Sequence, residues 1–307
     1  EPFLGRALKK YPRNSFYLAT KLPVWLVNSV EDAERLFKEQ LSRLQTKYID
    51  YYLLHALDAG RWEKLVKEGI IEWAEAKKAS GKIRHLGFSF HDTYPVFREI
   101  LTYRQWDFCQ IQYNYIDTQV QAGDKGYELA AKMGVPMVIM EPVKGGRLAN
   151  LPEEAKEALN EADPDRSAAS WALRWVGSHE NVKVILSGMS SMEQLEDNLE
   201  TFGKFQPLTE AEEEAVEKAA DLIRSRVKNG CTSCRYCMPC PFGVNIPEMF
   251  SIWNNCAMFD EEEKAKKAYA EQKVQDASAD LCKKCGACEK ACPQGLSIRA
   301  DLEKVAK

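Results

Sequence analysis

Ile49-Asp-Tyr-Tyr-Leu-Leu-His55, then the amphipathic stretch Trp62–Ser80, then Ile83-Arg-His-Leu-Gly-Phe-Ser89, is the segment on which the fold turns. An apolar run, a long helical pattern and a second apolar run read as strand, crossover helix and strand. Two strands joined in this way lie parallel. The pattern repeats outward in both directions. Phe16–Lys21 and the helical stretch Val30–Leu44 precede it. Tyr94–Thr102, Phe108–Tyr113, Tyr127–Met133, Pro136–Met140, Arg166–Val176, Val182–Ser187 and Met192–Phe202 follow, strands alternating with helices. The interior strands are nearly continuous apolar runs, as expected of a sheet covered on both faces. Six such units leave two architectures open. One is a (β/α)8 barrel, which needs eight units and typically ~250 residues. The other is an open, doubly wound sheet.

With 307 residues the chain has room for one large domain and a small one. Hydrophobic residues make up 45% and charged residues 29%, which excludes global disorder. No apolar run is long enough to cross a membrane. Glu1-Pro-Phe-Leu-Gly-Arg6 has no basic-then-apolar leader, so a cytoplasmic location is expected. The charge balance, 42 basic against 46 acidic residues, argues against nucleic acid as the partner.

Cysteine carries the most information. Of 10 cysteines, all but Cys109 fall in the last quarter of the chain. They form two runs, Cys231-x2-Cys234-x2-Cys237-x2-Cys240-Pro and Cys282-x2-Cys285-x2-Cys288-x3-Cys292-Pro. Three closely spaced thiolates and a fourth beside Pro suit two [4Fe–4S] clusters. Zinc sites come as CxxC pairs separated by a longer loop, a poorer fit. The runs resemble those of two-cluster ferredoxins, where the fourth Cys ligates the other cluster. Carried over, Cys231, Cys234 and Cys237 share a cluster with Cys292, and Cys282, Cys285 and Cys288 share one with Cys240. Ligation within each run is the alternative. Cys109, in an apolar strand, reads as a buried small hydrophobe. Cys256 reads as structural.

Seven further motifs, in order, resemble the aldo-keto reductases over residues 1–202. They are Leu4-Gly-Arg-Ala-Leu8, Tyr17-Leu-Ala-Thr-Lys21, Ile49–His55, Gly81–Ser89, Gln110-Ile-Gln-Tyr-Asn114, Glu141-Pro-Val-Lys-Gly-Gly146 and Ser187-Gly-Met-Ser-Ser…Asn198. With the cysteine runs, the chain is similar to the ferredoxin-fused branch of that family. The resemblance implies a (β/α)8 TIM barrel, NADP(H) or NAD(H), and a small-molecule carbonyl substrate reduced without metal. It gives Lys21 and His55 catalytic roles. Ser89 and Gln110 would hold the nicotinamide carboxamide. Gly145 and Gly146 would let backbone approach the pyrophosphate. Ser187, Gly188, Ser190, Gln194 and Asn198 match the segment that grips the adenosine 2′-phosphate, at a helix N-terminus. Met140 stands where many members stack a Tyr, and Phe90 where the family often has Asn. His91 is a candidate substrate contact, His85 reads as structural and His179 as solvated in a polar turn.

The family's Asp and Tyr lie before the stretch that begins at Glu1. The expected fold is therefore a barrel incomplete at its N-terminus, lacking about two strand–helix units, with a small α-helical two-cluster domain. On that basis the chain alone is expected to reduce carbonyls poorly. The division expected is 1–205 barrel, 206–229 helical connector and 230–307 ferredoxin-type domain. Thr209 and Glu212 would form a capping box on the connector, and Asp260–Lys273 reads as a solvated helix. Three functions stay open: an oxidoreductase whose clusters exchange electrons with a redox partner protein, an electron-transfer module on a non-catalytic barrel, or clusters that merely staple the small domain. Cluster chemistry favours anoxic surroundings.

Overall fold

The computed structural model describes residues 1–307. Six strands form one parallel sheet: β1 Ala19–Leu22, β2 Ile49–Leu57, β3 Ile83–Phe90, β4 Phe108–Gln112, β5 Met137–Met140 and β6 Val182–Ile185. Their spatial order is the sequence order, β1 to β6. A doubly wound sheet reverses direction at a switch point. This one never does. With every crossover of the same hand, the helices stack on one face, which is the winding of a (β/α)8 barrel. β1 and β6 are the two ends of the sheet.

The two sheet faces differ in chemistry, because side chains alternate along a strand. Tyr52, Leu54, Leu86, Phe88, Cys109, Ile111, Met137 and Ile139 enter one apolar core with Phe37, Leu65, Ile71, Phe97 and Ile100 from the helices. The register places Lys21 beside Leu53, Leu53 beside Gly87, Ser89 beside Gln110 and Gln110 beside Val138. Lys21, His55, Ser89 and Gln110 thus line the other face. The continuous apolar reading of these strands was too coarse: one face is core and the other holds the polar groups.

Close packing explains one glycine. A Cβ on Gly87 would stand 2.6 Å from the Phe108 carbonyl oxygen and 2.7 Å from its ring. Gly87→Ala is therefore expected to destabilise the protein by about 1–3 kcal/mol. Urea unfolding of the two forms checks this.

Trp62–Ser80 is not one helix but two, Ala59–Lys67 and Ile70–Ala79, because Gly69 sits between them at φ 70°. His179 is not free in solvent. Its ring lies edge-on to Tyr113, Tyr127 and Trp175, and Nδ1 is 2.8 Å from the Trp175 carbonyl.

The chain divides into two compact units, Glu1–Gly145 with Ala172–Pro207, and Gly146–Trp171 with Leu208–Lys307. Residues 146–171 and the helix Glu210–Ser225 thus fall in the second unit. The reason is packing: Val216, Ala219, Ala220 and Ile223 form a helical stripe, and this helix packs on Glu153–Asn160. Its capping box, Thr209 with Glu212, is formed in both directions. A second apolar centre joins Val244, Ile246, Met249, Phe250, Ile252, Ala279, Ile298 and Leu302. Much of it comes from the helix Ile246–Phe259, which the sequence pattern did not single out. Glu262–Val274 has no fully buried residue, but Ala265, Ala268 and Tyr269 pack against this centre, so the helix expected to be solvated has one covered face. No helix is long and apolar enough to cross a membrane.

Candidate functional site

In the first unit the polar groups gather where β1, β2 and β3 end. Buried Gln40, on the helix Val30–Leu44, donates to the Lys21 carbonyl at 2.7 Å and accepts from Tyr52 Oη at 2.7 Å. That fixes the Lys21 backbone, and burial lowers the Lys21 pKa. β2 does not stop at His55. Ala56 takes φ 55°, the register shifts, and the strand continues to Leu57. This bulge re-aims His55. The Ala56 N–H donates to Ser89 Oγ at 2.7 Å, and Arg61 Nη1 donates to the Ala56 carbonyl at 2.6 Å. Trp25 lies over His55 with ring centroids 5.1 Å apart.

The His55 pKa is lowered, first by burial and then by the positive fields of Lys21, His91 and Arg61. Burial likewise lowers the His91 pKa, against the raising effect of Glu141. Both imidazoles are therefore neutral at pH 7, so either can donate a hydrogen bond without carrying charge. Ser89 and Gln110 face each other across β3 and β4, nearly buried, and Gln110 Nε2 lies 3.3 Å from Met140 Sδ. A hydroxyl beside an amide is a donor and acceptor set that fits a carboxamide.

The loop after β5 is held from below by a network the sequence reading missed. Lys144 Nζ reaches both Asp117 carboxylate oxygens at 2.7 Å. Asp117 also accepts from Gln112 Nε2 at 2.9 Å and Asn114 Nδ2 at 3.1 Å. Asn114 further donates to the Glu141 carbonyl. Glu141 and Lys144 have φ of 54° and 48°. Gly145 and Gly146 have φ of 62° and 89°, with nothing within 4 Å of where a Cβ would stand. Open, left-handed backbone of this kind can approach a ligand closely.

Ser187, Gly188 and Ser190 lie in an exposed loop after β6. Asn198 Nδ2 donates to Ser187 Oγ at 2.8 Å. Gln194 is not free to face a ligand: with Ser191 it caps the helix Met192–Gly203, and its Oε1 accepts from Ser190 N at 2.7 Å. Ser187, Asn198, Ser190 and Gln194 are thus brought together.

In the second unit the eight thiols of the two runs ring two hollows rather than converge on a single-ion position. Cys231, Cys234, Cys237 and Cys292 line one, together with Phe250 and Ile298. Cys240, Cys282, Cys285 and Cys288 line the other, together with Leu302. Ile246 and Cys237 border both. Each hollow encloses about 320–330 Å³ of empty space, including its open mouth. The fourth Cys of each run has crossed to the other hollow. Of the two arrangements the spacing allows, this geometry favours the crossed one.

Left-handed Ser233, Arg235, Lys284 and Gly286 curl the two loops, and the Ser233 N–H points at Cys231 Sγ, 3.4 Å away. A buried Asn anchors the first loop. Asn229 accepts from the Cys231 N–H at 3.0 Å, donates to Asp301 at 2.7 Å, and is bonded on both backbone sides by Asn254. Burial, with neighbouring thiols, pushes the Cys231 and Cys237 pKa values up, and that of Cys288 to about 11. Four thiols gathered around one hollow, three from one tight loop and one from the other, are the ligand set a polynuclear iron–sulfur centre takes. The tetrads therefore fit an iron–sulfur cluster each. Cys109 is fully buried, with its thiol pKa pushed up, as a small core residue should be.

Known proteins agree with both halves. Residues 230–296 match the 4Fe-4S dicluster domain. An NADH-specific methylglyoxal reductase of Escherichia coli is 26% identical over 65% of this chain and 73% of its own length. An uncharacterised oxidoreductase of Schizosaccharomyces pombe is 28% identical over 53% of this chain, and this chain spans half of that relative's length. The structure of an aldo-keto reductase from Bacillus halodurans superposes with a TM-score of 0.60 at 30% identity, covering 71% of this chain and 76% of that one. Residues 1–221 match the Aldo/keto reductase family as a whole, so the chain belongs to that family.

Proposed function

We propose that this chain is part of an iron–sulfur oxidoreductase that binds NAD(P)H in its first unit and carries two [4Fe–4S] clusters in its second. The observation that carries the reading is the sorting of eight thiols into two tetrads. The nicotinamide supplies hydride, and the clusters supply or take single electrons. Ser89 and Gln110 hold the carboxamide side by side. Neutral His55 donates to the carbonyl oxygen of a small substrate and fixes its orientation. Lys21, partly desolvated beside it, places a positive field where negative charge would develop. The Lys144–Asp117 pair keeps the loop after β5 in shape for the pyrophosphate. The segment Ser187–Asn198 takes the adenosine end. NADH use by the E. coli relative keeps NAD(H) beside NADP(H) as candidates. A redox partner protein is the natural counterpart of the clusters, in an anoxic cytoplasm.

Titration of protein fluorescence with NADH and NADPH tests the first half. Ser89→Ala with Gln110→Ala removes two hydrogen bonds, each about 0.5–1.5 kcal/mol. The expected weakening is about tenfold in Kd. Binding unchanged in the double variant would remove the carboxamide role. No binding of either nucleotide by the parent would leave the barrel a scaffold.

A further inference from the structure

We propose that Arg61 is a positioning residue for His55, acting through the Ala56 carbonyl to hold the bulge that aims the imidazole. This rests on reading His55 as the group that meets the substrate carbonyl. β2 needs the bulge because of its apolar anchors. Leu54 pairs with Phe88 and Leu57 with Phe90, so three steps along β2 match two along β3. Both leucines are fully buried in the same core. In a plain strand, alternation would turn Leu57 to the face that carries His55. One extra residue lets both leucines face the core, and Ala56 absorbs the change at φ 55°.

That conformation is unfavourable for a residue with a Cβ, so it persists only where its surroundings impose it. Two side chains do so. On one side Ser89, 1% exposed, accepts from the Ala56 N–H at 2.7 Å. On the other, Arg61 Nη1 donates to the Ala56 carbonyl at 2.6 Å. Arg61 is placed for this by its own helix. Asp58 caps Ala59–Lys67 and accepts from the Arg61 N–H at 2.8 Å, and its carboxylate lies 3.4 Å from Arg61 Nη1. The cap thus helps turn the guanidinium back to the bulge rather than out to solvent. The two halves of the clamp differ in what else they do. Ser89 also belongs to the nicotinamide subsite proposed above, whereas the Arg61 guanidinium engages only Asp58 and the Ala56 carbonyl. Loss of Arg61 therefore tests the clamp without removing a nucleotide contact.

The test is proton–carbon NMR of the imidazole rings in the nucleotide-free full chain. There are four histidines, and the spectrum of His55→Gln assigns the signal. The Trp25 ring, its centroid 5.1 Å away, displaces that signal from the free-histidine position. Arg61→Met keeps a good helix former but no donor, and should take away most of the displacement. Arg61→Lys still carries a donor and should restore most of it. Ala56→Gly combined with Arg61→Met should restore it too, because glycine takes a positive φ without the Cβ penalty. Gln110→Ala, which touches the site but not the bulge, should leave the signal in place. An unmoved His55 signal in Arg61→Met, or a loss that neither Arg61→Lys nor Ala56→Gly recovers, overturns the positioning role. Benzaldehyde with NAD+ and NADP+, which have no hydride to give, tests the underlying reading. It should perturb the His55 signal of the parent and bind several-fold more weakly to Arg61→Met. If it leaves the parent's signal unmoved, His55 meets no carbonyl, and a part for Arg61 in the reaction is overturned even where the clamp itself holds.

Discussion

Protein in which Cys231, Cys234 and Cys292 are all changed to Ala should keep about four irons per chain in one intact site. Protein in which Cys231, Cys234 and Cys240 are changed should keep no complete site, and its iron content should fall well below that. The two variants differ only in which fourth Cys is lost. In the structure Cys292 stands with Cys231, Cys234 and Cys237 around one hollow. Removing three members of one tetrad therefore leaves the other whole. Cys240 stands with Cys282, Cys285 and Cys288, so its removal damages the second site as well. Ligation within each run predicts the reverse order. Iron and sulfide analysis, with the EPR signal of the dithionite-reduced protein, reads the outcome directly. The apolar centre of the second unit is the same in both variants, so a general failure to fold would lower both alike. A difference between them reports the pairing. Zinc in place of clusters would give neither sulfide nor a reduced signal.

The pairing illustrates what could and could not be read from the chain. The run of thiols announces clusters, because spacing within a short loop fixes which atoms crowd together. Which loop lends its fourth thiol depends on how the helices Ile246–Phe259 and Glu262–Val274 fold between the runs. No local spacing records that. The strands were legible for a similar reason: each is an apolar run bounded by helical pattern, and all six form close to where that pattern placed them, the first at Ala19–Leu22 rather than Phe16–Lys21. Motif resemblance singled out Lys21, His55, Ser89 and Gln110, and the strand register places them on one face of the sheet. The bulge at Ala56 that re-aims His55 was not legible, since nothing in Leu-His-Ala-Leu marks a left-handed residue. Arg61 was missed because a helical Arg normally faces solvent, and here its guanidinium turns back to the Ala56 carbonyl. His179 was misread because its sequence neighbours are polar, whereas its spatial neighbours Tyr113 and Tyr127 come from distant segments.

Asp117→Ala should be among the most damaging single changes in the first unit. Asp117 is 5% exposed and holds three side chains, those of Lys144, Gln112 and Asn114. Its loss leaves the half-buried Lys144 ammonium, 16% exposed, without its carboxylate. Removing one partner of a buried pair typically costs about 3–5 kcal/mol, because the remaining charge is uncompensated. Exposed pairs such as Lys266 with Glu262 would cost far less. Lys144→Met alone should be milder, since Asp117 keeps two neutral donors. Combining Asp117→Leu with Lys144→Met should recover most of the lost stability, because replacing both partners by apolar groups is often close to neutral. Nucleotide affinity should not recover with it. The pair also holds Lys144 at φ 48° in the loop that leads into Gly145, and an apolar replacement removes the bonds that impose that turn. Stability restored with NAD(P)H affinity still weakened would separate the two roles of the pair. Affinity restored together with stability would reduce Asp117 to a structural anchor.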